Sequence, residues 1–258
     1  MVGFNDWCDT QHIAVGAHGL KKLKARTQHL ADGQNAIAAA IPTHYASEER
    51  IASSLERLGK PAAADFIRQK LPTSKSIRSG DLGEILATEY IIEQTAFSVP
   101  VKRLRWKDHR NMAMRGDDII GIQRNAGTGR LRFLKAESKS RVTLAAGVLD
   151  SARQGLDKDG GLPSPHALSF ISDRLFEAGQ NVLVDAIDAE QLQHGIQPGA
   201  VTHLIFTFSG NDPAPLLQTS LAAYAGGISQ SGVGVQVETH VDFVNAVYDA
   251  VMADAVDD

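Results

Sequence analysis

One cysteine, Cys8, occurs in 258 residues. An internal disulfide and a multi-cysteine zinc site are therefore excluded, and a reducing compartment fits the chain. No apolar run approaches the roughly 18–20 residues that a membrane span requires. The opening segment, MVGFNDWCDTQH, places Asp6 and Asp9 where a signal peptide carries a basic region and an apolar stretch. The expectation is a cytoplasmic protein without membrane association. Several catalytic signatures are missing as well. No G-x-x-x-x-G-K-[ST] loop is present, so the chain is not itself a P-loop ATPase. Gly232 and Gly234 lead into a predicted strand rather than a helix, the wrong context for a dinucleotide loop. There is no G-x-S-x-G elbow, no H-E-x-x-H and no internal repeat. What remains is 43% hydrophobic and 22% charged, the balance of an ordinary globular chain long enough to bury a core without staples.

The net charge of −4 conceals a strong asymmetry. Residues 101–141 carry 12 Lys/Arg against 4 Asp/Glu, whereas residues 142–258 carry 3 against 15. A local basic stretch can neutralise phosphates on an acidic protein. The same residues also suit a solvated sheet edge, where Lys and Arg discourage edge pairing.

Periodicity predicts helices across residues 13–71, with breaks near Asp32-Gly33 and at Gly59, and Pro61 in a first turn. SGDLGEILATEYIIEQ (79–94) is the strongest helix, with Asp81 and Glu84 spaced as a capping box. Strands are predicted at about 100–107, 117–124 and 130–141, followed by a helix at 143–157. Further on come an apolar strand at 201–209, a helix containing Leu216–Tyr224, a Gly-rich strand VGVQVETH and a last helix reaching about Met252. The layout predicts α/β architecture, a central mixed sheet flanked by helices. It divides the chain into an N-terminal helical segment, 1–75, and a main domain, 76–258.

The chemistry concentrates in the second and third predicted strands. The turn NAGTG (125–129) joins them as an antiparallel hairpin. If the turn centres between Gly127 and Thr128, Asp118 falls opposite Glu137, and Glu137 shares a face with Lys139 two residues on. A one-residue slip would move Asp118 to the other face. This D…E-x-K convergence suits metal-assisted phosphodiester cleavage. Two close carboxylates repel, a hard cation such as Mg²⁺ (or Mn²⁺) relieves the repulsion, and the cation acidifies its water. Asp118, Glu137 and the backbone carbonyl of Ser138 are the candidate ligands. Lys139 would orient the attacking water or neutralise the phosphate. The plain alternative is an E-x-K ion pair on an exposed strand. Glu84 is a fourth candidate, with helix capping beside Asp81 as its alternative. Asp117 faces away in a regular strand, and Gln154 is either a phosphate contact or a surface residue. Arg103, Arg105, Lys107, Arg110 and Arg115 flank the carboxylates in sequence and are candidate phosphate ligands on DNA.

Helix–Glu, strand–Asp, strand–E-x-K, helix resembles the PD-(D/E)XK, restriction-endonuclease-like nucleases. More narrowly, SGDLGEILATEYI, MRGDDIIGI and LRFLKAESKSR are similar to the HamA family, nuclease subunits of Hachiman anti-phage defence systems. The resemblance spans roughly residues 12–175 and implies an α-β-β-β-α-β core. It matches Glu84, Asp118, Glu137 and Lys139 to the nuclease motif, with Gly116-Asp117 where the superfamily carries Pro. It also implies DNA as substrate, Mg²⁺ as cofactor and a helicase subunit as partner. A non-cleaving nucleic-acid-binding subunit and an RNA substrate remain open alternatives at this stage. The acidic portion, 142–258, is expected to dock a protein partner through Phe243 and Tyr248, so that removing the last helix from Asp242 leaves the core folded. Its acidity could instead serve solubility alone.

Overall fold

The computed structural model describes residues 1–253. A short helix α1 (Phe4–Trp7) enters the hairpin β1 (Cys8–Val15) and β2 (His18–Ala25). Four helices follow: α2 (Leu30–Tyr45), α3 (Glu48–Leu58), α4 (Lys60–Lys70) and α5 (Lys75–Gln94). A second hairpin, β3 (Ile119–Arg124) and β4 (Leu131–Arg141), leads to α6 (Ala146–Asp157), α7 (Pro165–Glu177) and α8 (Asn181–Asp188). The last described elements are β5 (Val201–Ser209), α9 (Ala214–Ala222), β6 (Ser229–Gln236) and α10 (His240–Ala253). No helix among the described residues is long and apolar enough to cross a membrane.

The six strands form one mixed sheet in the order β1-β2-β6-β5-β4-β3. β2, β6, β5 and β4 run parallel, and each flanking hairpin adds an antiparallel edge. β5 is buried along nearly its whole length, as a parallel strand covered on both faces must be. One face packs against α1, α2, α5 and α10 through Trp7, Ile37, Ile85, Phe206 and Phe243. The other packs against α6 to α9, through Leu149, Ile205 and Leu217 towards one end and Phe133, Ile171 and Ile187 towards the other.

Several expectations need correction. Residues 13–25, expected to be helical, instead lie in two strands, Cys8–Val15 and His18–Ala25, and these strands belong to the main sheet. α2 runs straight through Asp32-Gly33, because Gly33 lies under the Trp7 ring, where a Cβ would sit 2.6 Å from a ring carbon. The strand expected at 100–107 is instead a 3₁₀ turn, Arg103–Trp106, whose basic side chains reach inward. Only β3 and β4 therefore stand between α5 and α6, in place of the three strands of an α-β-β-β-α core. The capping reading of Asp81 and Glu84 also fails, since α5 begins at Lys75 and both lie inside it. The hairpin register holds: Ile119 pairs with Ala136 and Arg124 with Leu131. Gly59 ends α3, and β5 spans the predicted 201–209.

Phe243 and Tyr248 are completely buried, so neither is an exposed docking anchor. Phe243 stacks on Trp7 with centroids 5.7 Å apart, and the Tyr248 hydroxyl donates to the Arg78 carbonyl at 3.2 Å. α10 packs on α2 and α5 as part of the core. Phe243→Ala should cost about 3–5 kcal/mol in urea unfolding. Truncation from Asp242 should abolish the cooperative transition, and a truncated chain with a wild-type melt would contradict this packing.

Candidate active site

β4 is longer than its partner. β3 begins at Ile119, opposite Ala136, so β4 continues for five residues without β3 beside it. The Ser138 N–H at this open edge donates to Asp118 Oδ2 at 3.0 Å. A carboxylate thus takes the place of a strand neighbour, and Asp118 is fixed beside Glu137 and Lys139. The two latter side chains meet on their shared face, with Lys139 Nζ 2.8 Å from Glu137 Oε2. Glu137 rests on α6 at Gly155, where a Cβ would approach its carboxylate to 2.5 Å. Gly155 is thus a site residue that the motif did not mark.

Glu84 reaches the same place from α5, through Arg103. Arg103 Nε donates to Glu84 Oε1 at 2.7 Å, and Nη2 donates to Glu84 Oε2 at 3.1 Å and to Asp118 Oδ1 at 3.0 Å. Its Nη1 donates to the carbonyls of Asp117 at 2.7 Å and Arg115 at 3.2 Å. Burial opposes the Arg103 charge, but Glu84, Asp118 and Glu137 outweigh it and hold the pKa above the ordinary arginine value. Burial lifts the Glu84 carboxyl to about 7 against the pull of Arg103. Burial also lifts Glu137 to about 7, with the Asp118 charge adding to the shift and Lys139 opposing it.

Asp117 and Asp118 separate cleanly. Asp117 accepts from the Ser164 N–H at 2.8 Å and lies 3.3 Å from Lys135 Nζ, away from Glu137. Lys135 is fully buried, and its ammonium also donates to the Lys158 and Leu162 carbonyls, each at 2.9 Å. Sequence reasoning passed over Lys135, although a lysine in an apolar strand two residues before Glu137 demands buried acceptors. Its acceptors fasten the segment entering β3 to the turns before α7, which steadies the neighbouring Asp118.

The five proposed phosphate ligands divide. Arg103 is bound as described. Arg105 Nε donates to the Thr43 carbonyl at 2.9 Å, and Lys107 forms a buried pair with Asp81 at 2.7 Å. Arg115 is exposed, Arg110 half-buried, and neither forms an ion pair among the described residues. Gln154 is exposed on α6, and His203 is a core residue bonded to the Gly161 carbonyl at 2.7 Å. A cavity of about 430 Å³ opens beside Glu84 and Asp118, with Arg115 at its wall and Val101, Trp106 and Phe170 lining its apolar side.

Among the described residues, no three His, Cys, Asp or Glu side chains gather as a ready metal cage. Asp118 and Glu137 offer two hard carboxylates, which suffices for Mg²⁺ when waters and phosphate oxygens complete the octahedron. Burial is the main cause of the raised Glu137 carboxyl, and the adjacent Asp118 charge adds a repulsion that a hard dication would relieve. The donor set therefore fits Mg²⁺ or Mn²⁺.

The class so defined is an α/β chain with two carboxylates, a lysine and a bridged Glu–Arg pair at the open end of one hairpin. A family model described as HamA matches residues 3–251, and the chain belongs to the HamA family. A curated relative, Hachiman protein HamA of Bacillus cereus, is 28% identical over 189 residues, covering 70% of this chain and 67% of that protein.

Between its ordinary 4.5 and about 7, Glu137 keeps a proton in the folded protein that the unfolded chain has released. Stability from this group is therefore lost as pH rises through that window. Without divalent cations, Glu137→Gln should gain stability relative to wild type as pH is raised from about 4.5 to about 7. Paired thermal melts across this range test the point, and a constant difference between the two proteins would refute it.

Proposed function

We propose that this chain is a divalent-metal-dependent DNA nuclease, the effector subunit of a Hachiman-type anti-phage defence complex that works with a helicase subunit. The observation that carries the reading is the convergence of Asp118, Glu137 and Lys139 where β4 outruns β3. The order of α5 with Glu84, β3 with Asp118 before it, β4 with Glu137 and Lys139, then α6, supports a restriction-endonuclease-like core with two strands between the helices. Family membership and the relative's name support the defence role. The sequence has no P-loop, so an ATP-driven step in such a complex belongs to another subunit.

Asp118 and Glu137, with the Ser138 carbonyl, would hold Mg²⁺ or Mn²⁺. When bound, such an ion supplies a hard positive charge that acidifies water and steadies charge on phosphoryl oxygens. Lys139, 2.8 Å from Glu137, is placed to orient the attacking water and to donate to a phosphate oxygen. Arg103 holds Glu84 and Asp118 in fixed geometry, so the acids do not rearrange during the reaction. Arg110 and Arg115 are available to flanking phosphates, and the adjoining cavity offers apolar walls to a nucleotide.

Plasmid incubated with the purified chain and Mn²⁺ or Mg²⁺ should be nicked or degraded, and EDTA should stop it. Glu137→Gln and Lys139→Ala should each lower the rate at least roughly a hundredfold, about 2.7 kcal/mol of transition-state stabilisation, while keeping a folded circular dichroism spectrum. Wild-type rates in both variants would leave a non-cleaving binding subunit as the better account. Arg110→Ala with Arg115→Ala should weaken DNA binding across sequences and lower the salt slope by about two. An unchanged slope would move the phosphate path elsewhere.

A further inference from the structure

The guanidinium of Arg103 is saturated. Its five N–H groups meet five acceptor atoms: both oxygens of Glu84, one of Asp118, and the carbonyls of Arg115 and Asp117. Its side chain is only 12% exposed. No donor is left over for a phosphate, and both oxygens of Glu84 are engaged. The carboxylates next to it are engaged too, but not by the guanidinium alone. Asp118 gives Oδ1 to Arg103 and Oδ2 to the Ser138 N–H, and Glu137 gives Oε2 to Lys139.

We propose that Arg103 occupies the position of a second cation, so that this site binds one divalent metal ion, between Asp118 and Glu137, and never a pair. The proposal rests on the metal-dependent reading above. Charge balance leads to it. Once ionised, as a metal ligand set must be, Glu84, Asp118 and Glu137 bring three negative charges, and Arg103 and Lys139 return two positive ones. The neighbouring acids are already neutralised within their own pairs, Asp81 by Lys107 and Asp117 by Lys135. The residual charge is −1, which draws one dication. A second would leave the site strongly positive and would have to expel a guanidinium held by five hydrogen bonds. Arg103 also ties the acids to the backbone at 115 and 117, on the segment that walls the cavity. In two-metal sites, one ion stabilises the attacking oxygen and the other the leaving oxygen. In this site a fixed guanidinium supplies the second positive charge, set on the Glu84 side of Asp118.

The test counts ions. The full chain, stripped with EDTA, is titrated with Mn²⁺ alone, and free Mn²⁺ is read by electron paramagnetic resonance. Wild type should bind one strong ion per chain. Arg103→Ala leaves Glu84 and Asp118 uncompensated and should bind two, with the second lost again when Glu84→Gln is added. Circular dichroism melts confirm that each variant is folded. Should Arg103→Ala not fold, the isosteric Glu84→Gln alone decides: it should keep the single strong ion, whereas Glu137→Gln should lose it. Two strong ions in wild type, one in a folded Arg103→Ala, or none in Glu84→Gln would each overturn the proposal. No strong ion in wild type would overturn the metal-dependent reading itself. Two ions in wild type would leave that reading standing and remove only the role given to Arg103.

Discussion

The length mismatch between β3 and β4 is the constraint on which the site depends. An 11-residue strand paired to a 6-residue one leaves backbone donors at its free end. Buried or half-buried N–H groups need partners. Here the partner of Ser138 is the carboxylate of Asp118, immediately ahead of β3. That one hydrogen bond brings an acid from the entry of one strand against the acid and lysine on the other. Asp117, also ahead of the ladder, meets Lys135 on the face that a regular strand would deny it.

Around this point the fold gathers charge in a region where charge is costly. Glu84 with Arg103, Asp81 with Lys107, Asp117 with Lys135, and Glu89 with His44 and Lys102 are all largely buried. Such pairs add little net stability over well-packed apolar residues, but losing one member strands the other. Each pair joins elements distant in sequence: Lys102 and Lys107 fasten the 3₁₀ turn region to α5, and Lys135 fastens β4 to the entry of β3 and to the turns before α7. The network thus exchanges stability for definition. It holds the irregular segment 95–118, which has little regular structure of its own, in one place beside the acids.

Much of this was legible in the residues. The turn NAGTG and the apolar runs on either side set the register, and β5 and α10 announced themselves by composition and punctuation, whereas β6 runs Ser229–Gln236, four residues earlier than the expected VGVQVETH. The failures have a common cause, in that local pattern does not reveal which partners arrive from far along the chain. Leu20 and Leu23 are three apart, the signature of a helix face, yet in β2 they point to opposite sides of a sheet covered on both. The pattern KRLRWK alternates like a strand, but its basic residues turn inward to Glu84, Asp81 and the Thr43 carbonyl. Glu84 resembled a capping residue because α5 begins earlier, at Lys75, behind an N-cap Ser74 that makes no side-chain cap hydrogen bond. Of the candidate site, the acids and Lys139 came from the motif. Arg103 was noticed for its charge but expected to face DNA, and Gly155 carries no signal except its contact with Glu137.

The parallel pairing of β2 with β6 has a kinetic meaning. Gly19 lies opposite Ser231 and Lys24 opposite Gln236, so neighbours in the sheet are separated by about two hundred residues of chain. Closing such a contact is slow, because loop entropy is lost before pairing rewards it. During synthesis the second hairpin, α5 and α6 leave the ribosome before β6, and the N-terminal hairpin waits for that strand. Until β6 is in place, β2 and β5 have no strand between them and the sheet stays in two parts.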